Sequence, residues 1–349
     1  MSLLVPVLAL LLALLVDRWF GEPPLRLHPV VWMGNYLGWA GGRLQRGLRS
    51  AVPVGVSVSN TTLAAREEAA DYKAFWLGAL YWIGGIALFT VAAVWLEHML
   101  WMFGDWAASL VTDAGIAGWL ASAVVLVLLA LLLKPMLAWA MLKGEVLAVE
   151  GALGQSLQAG RDRLNWLVSR DTTCLSEAQV RESAIESLAE NLSDSVVAPI
   201  FWFVLLGLPG AVAYRFANTA DAMWGYKGVY KGQNWEWAGK WAARVDDVLN
   251  WLPSRLTGLL LALTCGLRWK SLRREAIKTP SPNSGWPMAA MALALNIHLG
   301  KPGVYVLNPG GEDALAVHTG QAVVCASKVL LALIPVALLA LYFRAIILS

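Results

Sequence analysis

The chain alternates long apolar runs with polar connections, and its four clearest runs predict membrane-spanning helices. These runs lie at about residues 2–17, 74–96, 115–133 and 321–348. A helix needs about 20 mostly apolar residues to cross the hydrocarbon core of a bilayer, and about 17 suffice for a short span. The first run has no basic residue before it and no small-residue cleavage site after it. We therefore expect a retained helix there rather than a cleaved signal peptide.

Two shorter apolar segments, 196–212 and 248–267, are harder to place. Both contain proline, and the polar stretches on all sides of them carry lysine and arginine. A true span separates a basic cytoplasmic side from a less basic outer side. We therefore expect half-inserted or re-entrant helices, whose backbone is covered by protein. A pair of true spans with an exposed basic external loop is the alternative.

The distribution of basic residues orients the chain. Seven lysines and arginines fall between the first and second apolar runs, and none falls between the second and third. The positive-inside rule then predicts that residues 17–73 are cytoplasmic and that both termini lie outside. Residues 134–320 are predicted to form helices and re-entrant segments with a cytoplasmic polar face. The expected fold is one all-α polytopic membrane domain covering residues 1–349.

Composition agrees with a membrane protein. The chain is 58% hydrophobic and 15% charged, whereas soluble domains carry about 25% charged residues. A net charge of +3 gives no reason to expect a nucleic-acid partner. The three cysteines are isolated, so neither a zinc site nor a disulfide framework is indicated. Walker, HExxH, GxSxG and GxGxxG motifs are all missing from the sequence.

The most polar stretch, 177–194, predicts a helix with an acidic face. Glu182, Glu186, Glu190 and Asp194 recur at every fourth position. Like charges at this spacing repel each other by about 0.2–0.5 kcal/mol per pair. A cation, a basic partner surface or a polyphosphate with Mg²⁺ would offset that repulsion. A solvated helix face is the alternative interpretation.

Asparagine and aspartate recur at helical spacing in three places. The motifs are Asn191-x-x-Asp194, Asn218-x-x-Asp221 and Asp246-Asp247-x-x-Asn250. Positions three apart share a helix face, so each motif can present two oxygen ligands together. Hard cations such as Mg²⁺ prefer oxygen ligands and often bridge to substrate phosphates. The expected metal ligands are Asp194, Asp221, Asp246 and Asp247. Helix capping is the alternative role for each asparagine.

Basic and polar side chains near these carboxylates suggest phosphate chemistry. The basic ones are Lys227, Arg244 and Arg255. Arg255 lies within an apolar segment, where a charge is expensive unless paired, so we expect Asp247 or a substrate phosphate as its partner. Asn283 lies in a turn-rich segment that could present an anion site at the start of the next helix. His28, in a proline-rich loop, is either a binding residue or a structural hydrogen-bonder.

Five blocks occur in order along the chain and resemble one known family. The blocks are DRWFGEPPLRLHPVVWMG, SRDTTCLSEAQVRESAIESLAENLSDSVVAPIFW, YRFANTADAMWGYK, ARVDDVLNWLPSRLT and SPNSGWPMAAMA. Together they resemble the membrane-bound adenosylcobinamide-phosphate synthase family of cobalamin biosynthesis. Residues 50–72 and 303–321 match no firm family pattern.

The resemblance implies an ATP-dependent ligase of the bacterial cytoplasmic membrane. Such enzymes join the propionate carboxylate of the corrinoid adenosylcobyric acid to the amine of aminopropanol phosphate. ATP as cosubstrate and Mg²⁺ are implied with the reaction, on a cytoplasmic active face. Other cobalamin-assembly enzymes are further candidate partners, beside the lipid bilayer.

Residue roles within this resemblance are hypotheses. The candidate catalytic residues are Glu186, Glu190, Asp221 and Lys227, with either glutamate as the general base for the ammonium. The candidate substrate and phosphate contacts are His28, Arg170, Asn191, Asn218, Arg244, Arg255 and Asn283.

Two other functions stay open at this point. A Mg²⁺-dependent prenyl-pyrophosphate transferase would need a long apolar cavity leading from the aspartates into the bilayer. A non-catalytic membrane sensor or assembly partner would leave the polar residues scattered in space.

Overall fold

The computed structural model describes residues 4–49, 70–109 and 116–348, which are almost entirely helical. The N-terminal helices are α1 (Val5–Phe20), α2 (Pro29–Arg49), α3 (Tyr72–Ser109), α4 (Ile116–Leu133), α5 (Trp139–Leu153) and α6 (Leu157–Leu164). The central and C-terminal helices are α7 (Glu177–Leu192), α8 (Ala198–Trp224), α9 (Lys240–Leu249), α10 (Trp251–Cys265), α11 (Trp269–Ala276), α12 (Gly285–Leu295) and α13 (Ala316–Leu348). Most of segment 50–72, which has no family pattern, lies outside the described residues.

Two short antiparallel hairpins interrupt the helices. In the first, β1 (Val229–Tyr230) pairs with β2 (Gln233–Asn234). In the second, β3 (Leu299–Lys301) pairs with β4 (Tyr305–Leu307), and Lys301 lies opposite Tyr305. The second hairpin packs against α7 and α12, while its tip is exposed.

Four described segments are long and apolar enough to cross a membrane. They are Tyr72–Ser109, Gly118–Leu153, Glu177–Trp224 and Ala316–Ile347. The first, second and fourth overlap the apolar runs predicted at 74–96, 115–133 and 321–348. The prediction of an all-α polytopic membrane protein with about four spans is confirmed. The run predicted at 2–17 forms α1, which has 16 residues and is shorter than these four segments.

The helix through residues 196–212 is longer than the apolar run alone, and half-insertion or re-entry stays a prediction for it. It belongs to the continuous segment Glu177–Trp224, in which α7 leads through a π turn at Ser193–Val197 into α8. The prediction treated the acidic stretch and the apolar run as separate elements, but the chain joins them without a break. The backbone leaves helical geometry at Gly207, with φ 73°, two residues before Pro209. Glycine tolerates this positive φ, which other residues rarely adopt.

The segment 248–267, predicted as a half-inserted or re-entrant helix, has a geometry that a re-entrant helix can adopt. It forms α10, whose axis bends by 47° from that of α9 at a short break. Such a bend is the geometry of a broken span or of a re-entrant loop. The break at Asn250 is a junction between helices, and Asp247, near the end of α9, contacts Asn283 in the loop before α12.

The acidic helix α7 lies inside the fold. Its start is fixed by a capping box, in which Ser176 accepts from the backbone of Gln179 and the Gln179 side chain accepts from the backbone of Ser176. It packs against α5, α6, α12, α13 and β3. Glu182 and Glu186 are buried, and Glu190 and Asp194 are half-buried. The solvated helix face left open by the sequence is therefore excluded.

The opening motif forms a buried ionic network around Lys134. The ammonium of Lys134 lies 2.6 Å from Glu22 Oε2 and 3.4 Å from Asp17 Oδ1. The other oxygen of Asp17 accepts the backbone N–H of Ala140 at 2.8 Å. His28 Nε2 lies 3.0 Å from the same Glu22 oxygen. The network joins α1, the proline-rich loop and the junction of α4 and α5.

Removing the charge of Lys134 should destabilise the fold. Lys134→Met leaves two carboxylates without their buried cation, and breaking such a pair costs about 3–5 kcal/mol. The free energy of unfolding in detergent, measured by denaturant titration, should fall by that amount. Lys143→Met is the control, because Lys143 is exposed on α5. Equal stability of the two variants would contradict a structural role for the network.

Acid should weaken the same network through Glu22. Burial favours a higher pKa for Glu22, but hydrogen bonds involving His28 and Lys134 outweigh it and hold the pKa below its usual value. A carboxylate with a depressed pKa contributes stability above its unfolded pKa, about 4.3, and that stability is lost as pH falls through the folded pKa. The melting temperature of the wild type should therefore drop more steeply below about pH 4.3 than that of Glu22→Gln. Parallel pH profiles would contradict this assignment.

Candidate active site

A cavity of about 340 Å³ lies beside the inner face of α7. Its walls come from the loop before α7, from α7 itself, from the start of α12 and from the β3–β4 hairpin. Its polar lining comprises Ser169, Arg170, Ser183, Glu186, Ser187, Glu190, Asn191, Ser281, Ser284, Lys301 and Tyr305. Carboxylates, two basic side chains and several hydroxyls thus face one partly open cavity.

Glu186 is held from two sides at the cavity wall. Arg170 Nη2 donates to its Oε2 at 2.8 Å, and the Tyr305 hydroxyl donates to its Oε1 at 3.0 Å. Burial, together with the nearby charge of Glu186, raises the pKa of Tyr305 well above its usual value, so the phenol stays a donor. Both oxygens of Glu186 are therefore occupied, and its carboxylate is fixed in orientation.

Glu190, one turn further along α7, lacks the hydrogen-bond donors that fix Glu186. It lines the same cavity and is near enough to Glu186, Asp194 and Asp221 to feel their charges. Within the described ranges its carboxylate accepts no hydrogen bond. Glu190 therefore lies between the cavity and the aspartates beyond it, with oxygens free for a ligand.

The three asparagine–aspartate motifs converge around Asp194, as their shared chemistry suggested. The π turn carries Asp194 at the junction of α7 and α8. Its Oδ1 accepts from Asn250 Nδ2, and its Oδ2 lies 3.5 Å from Asn218 Nδ2. The Ser193 hydroxyl is 3.3 Å from Asn250 Oδ1. Single π turns inside α-helices are frequent at functional sites.

Asp246 adds a buried carboxylate to this cluster. It lies near Asn218 and close enough to Asp194, Asp221 and Asp247 to feel their charges. Its Oδ1 is buried and has no hydrogen-bond partner among the residues that the structure describes. A buried oxygen without a donor is costly, and a cation would satisfy it.

These aspartates fit a Mg²⁺ that is shared with a substrate rather than one held in a protein cage. In the described part of the chain, the only group of three metal-ligating side chains with donor atoms within 4.8 Å does not include them. Mg²⁺ commonly binds through one or two carboxylates and completes its shell with waters and substrate phosphates. The unpaired oxygen of Asp246 suits this arrangement.

Asn283 connects this cluster to Arg255. Its amide donates to the backbone oxygen of Asp247 at 2.8 Å, and its Oδ1 lies 3.3 Å from both Ser254 Oγ and Arg255 Nη1. The expected pairing of Arg255 with Asp247 is wrong: over the described ranges Arg255 makes no ion pair. It donates instead to the Trp251 carbonyl at 2.7 Å and lies 4.1 Å from the centroid of the Trp251 ring. The side-chain amide of Asn283 lies between Asp247 and Arg255.

The remaining candidate site residues make fewer contacts with the cavity or with the aspartate cluster. Asn191 lines the cavity, but its amide turns back to the Ser187 carbonyl at 3.0 Å. Lys227 is exposed, yet near enough to Asp247 to act on its charge. Arg244 is exposed on α9 and makes no hydrogen bond or ion pair with any described residue. His28 belongs to the Lys134 network, where its Nδ1 accepts from the backbone of Val30.

Three site residues escaped the sequence reasoning. Tyr305 and Lys301 come from the hairpin near the stretch without a family pattern, and nothing in their spacing pointed to α7. Arg215 is half-buried on α8, where it donates to Ser195 Oγ at 2.9 Å and lies near Asp194 and Glu22. An arginine inside an apolar run was a usable signal, because such charges are rare in membrane helices without a partner.

Comparison with known proteins identifies the family. A family model described as CobD/Cbib protein matches residues 10–324. The chain is 39% identical over 308 residues to the probable cobalamin biosynthesis protein CobD of Methanothermobacter thermautotrophicus, covering 86% of each chain. It is 35% identical over 301 residues to the cobalamin biosynthesis protein CobD of Yersinia enterocolitica, covering 84% of this chain and 82% of the relative. No solved structure matches. The matched region contains the whole cavity and the aspartate cluster, and the chain belongs to the CobD/CbiB family of cobalamin biosynthesis proteins.

Proposed function

We propose that this protein is an adenosylcobinamide-phosphate synthase. It would join the propionate carboxylate of adenosylcobyric acid to the amine of aminopropanol phosphate, with ATP supplying the energy for the amide. The observation that supports this most is the adjacency of a cavity lined by Arg170, Lys301 and several hydroxyls to a cluster of buried and half-buried aspartates. Phosphate binding and cation binding are thus brought together in a membrane protein of cobalamin biosynthesis.

The cavity suits the smaller substrate. Its volume of about 340 Å³ is at the low end for small-molecule pockets. Arg170 and Lys301 supply positive charge, and the hydroxyls of Ser281 and Ser284 lie at the start of α12, where helix N–H groups favour anions. Aminopropanol phosphate would bind with its phosphate here. The corrin ring is far larger than the cavity, so only its propionate arm would enter.

The two glutamates of α7 suit different tasks. An amine attacks an activated carboxyl only after its ammonium has lost a proton, and a positioned carboxylate can accept that proton. Glu190 has free oxygens facing the cavity, whereas Glu186 is occupied by Arg170 and Tyr305. We assign Glu190 as the general base and Glu186 as a positioning residue that fixes Arg170.

The aspartate cluster is the proposed Mg²⁺–ATP region. Asp194, Asp221, Asp246 and Asp247 would hold the metal, with Lys227 near the nucleotide phosphates. Mg²⁺–ATP would supply activation of the carboxylate as an acyl phosphate or adenylate, from which the attacking amine would displace phosphate or AMP. Glu190 lies between this region and the cavity, which is where the carboxyl and the amine must meet.

The alternatives find less support. A prenyl-pyrophosphate transferase needs a long apolar cavity, and the cavity beside α7 is bounded by charged and hydroxyl side chains. A non-catalytic sensor would leave the motifs scattered, and they gather around Asp194. We also propose that the site faces the cytoplasm of the bacterial inner membrane, where ATP is available.

Turnover should depend on the aspartate cluster and on Glu190. The detergent-purified protein would be assayed with adenosylcobyric acid, aminopropanol phosphate, ATP and Mg²⁺. Asp221→Asn and Glu190→Gln should each lower kcat by roughly 10²–10⁴-fold, the usual contribution of a positioned acid–base group. Asp162→Asn, an exposed site on α6 whose contact with Gln158 the amide can keep, should leave kcat unchanged.

Two results would redirect this assignment. Full activity in Asp221→Asn and Glu190→Gln would keep the reaction and reject the site. Absence of amide product from the folded wild type would reject the synthase itself.

Lys301 should determine the affinity for the phosphate group. Lys301 is exposed at the cavity, so Lys301→Gln removes the charge without burying a new group. The KM for aminopropanol phosphate should rise about tenfold, while the KM for unphosphorylated aminopropanol should stay constant. Lys270→Gln, exposed on α11, is the matched control. An equal change for both amines would show that Lys301 does not contact the phosphate.

A further inference from the structure

A second group of ligand atoms lies one turn before Glu186 on α7. Glu182 Oε1, His298 Nε2 and Asp313 Oδ1 come from three separate parts of the chain: α7, the residue before β3 and the loop before α13. Their donor atoms all lie within 4.8 Å of one another, and in the described ranges no other three such side chains are this close. None of the three belongs to the proposed Mg²⁺ region.

The orientation of His298 places its Nε2 toward both carboxylates. Its other nitrogen, Nδ1, lies 3.4 Å from the backbone oxygen of Gly311, which favours a proton on Nδ1. Nε2 then carries a lone pair, 3.1 Å from Glu182 and 3.5 Å from Asp313. A lone pair facing two carboxylate oxygens is repulsive unless a cation lies among them. Histidine ligands of metals commonly donate their second N–H to a backbone oxygen in this way.

The spacings match a metal better than a hydrogen-bonded imidazolium. Two ligands at about 2.1 Å from a tetrahedral ion are about 3.4 Å apart. Both measured separations lie close to that value. A single N–H on Nε2, by contrast, can point well at only one of the two carboxylates.

The backbone preorganises these ligands. Ile297 and Glu312 form a parallel bridge, in which His298 N donates to Glu312 O at 3.1 Å and Glu312 N donates to Asn296 O at 2.9 Å. Gly311 fits tightly against this pair, since a Cβ there would lie 2.4 Å from the Ile297 carbonyl carbon. His298 and Asp313 are therefore fixed relative to each other before any ligand arrives.

We propose that Glu182, His298 and Asp313 form a binding site for one divalent transition-metal ion. One imidazole nitrogen with two carboxylates favours Zn²⁺, Mn²⁺, Fe²⁺ or Co²⁺ over Mg²⁺ and Ca²⁺, which prefer oxygen ligands alone. Glu182 is buried and Asp313 is exposed, so the outer coordination positions are open to water. The presence of this metal site does not depend on the proposed ligase reaction.

Such an ion would have a positioning role for the cavity. It would hold the start of the β3–β4 hairpin against Glu182 of α7. Glu182 lies one turn before Glu186, which accepts the hydrogen bond from Tyr305. Lys301 and Tyr305, carried by this hairpin, would then keep their places in the cavity lining. Loss of the metal should loosen the hairpin and leave the aspartate cluster intact.

The test uses full-length protein purified through a tag without histidines, stripped with chelator and titrated with Co²⁺ and Zn²⁺. The wild type should bind one equivalent, give the visible absorption of a nitrogen- and oxygen-ligated Co²⁺, and melt at a higher temperature with Zn²⁺. Asp313→Asn and His298→Gln should each weaken Co²⁺ binding at least tenfold. Glu312→Gln, which removes a neighbouring exposed carboxylate, should bind as the wild type does.

Three results would overturn the proposal. The first is a wild type without Co²⁺ absorption or Zn²⁺ stabilisation, which would leave an imidazolium ion pair. The second is unchanged binding in both Asp313→Asn and His298→Gln. The third is loss of Co²⁺ binding in Asp246→Asn but not in Asp313→Asn, which would place the ion in the aspartate cluster. Because none of these readouts uses turnover, they stand apart from any failure of the synthase assay.

Discussion

The burial of a row of carboxylates on α7 is the constraint around which the molecule is arranged. Charged groups leave water at a cost of several kcal/mol each unless they find partners. Three of the four acids in the row meet different neighbours: Glu182 meets His298, Glu186 meets Arg170 and Tyr305, and Asp194 meets two asparagine amides. These partners come from distant parts of the chain, so satisfying the row brings those parts together.

This requirement explains the central position of α7. The loop before α7 delivers Arg170, and the hairpin region delivers His298 and Tyr305 to its inner face, while its apolar residues complete the core. The π turn after Leu192 joins the acidic row directly to the apolar helix α8, without a loop between them. Polar and ionisable residues at membrane depth are tolerated when they face a protein-lined cavity. The row of acids therefore defines where the cavity is.

The sequence predicted the parts of this arrangement that depend on local pattern. Apolar runs identified three of the four long candidate spans, the fourfold recurrence of acids identified a single helix face, and the shared Asn–Asp spacing identified motifs that do converge. It could not predict which way the acidic face turns, because repulsion along a helix has the same pattern whether the face is solvated or buried. Arg255 shows the same limit: its apolar surroundings demanded a partner, but only the fold reveals that Asn283 and Trp251 fill that place. The hairpin residues Lys301 and Tyr305 were out of reach, since their positions depend on long-range packing.

The two glutamates that face the cavity have different proposed roles because their surroundings differ, although the residue type is the same. Glu186 and Glu190 lie one turn apart on one helix and share the same chemistry in isolation. Arg170 and Tyr305 saturate both oxygens of Glu186, so that side chain can orient its neighbours but has no lone pair well placed for a substrate proton. Glu190 has no such donors and lies near three other carboxylates, so a cationic ligand there would relieve repulsion among them. An ammonium group entering the cavity would therefore be drawn to Glu190, next to the region where a phosphate-activated carboxyl would be formed.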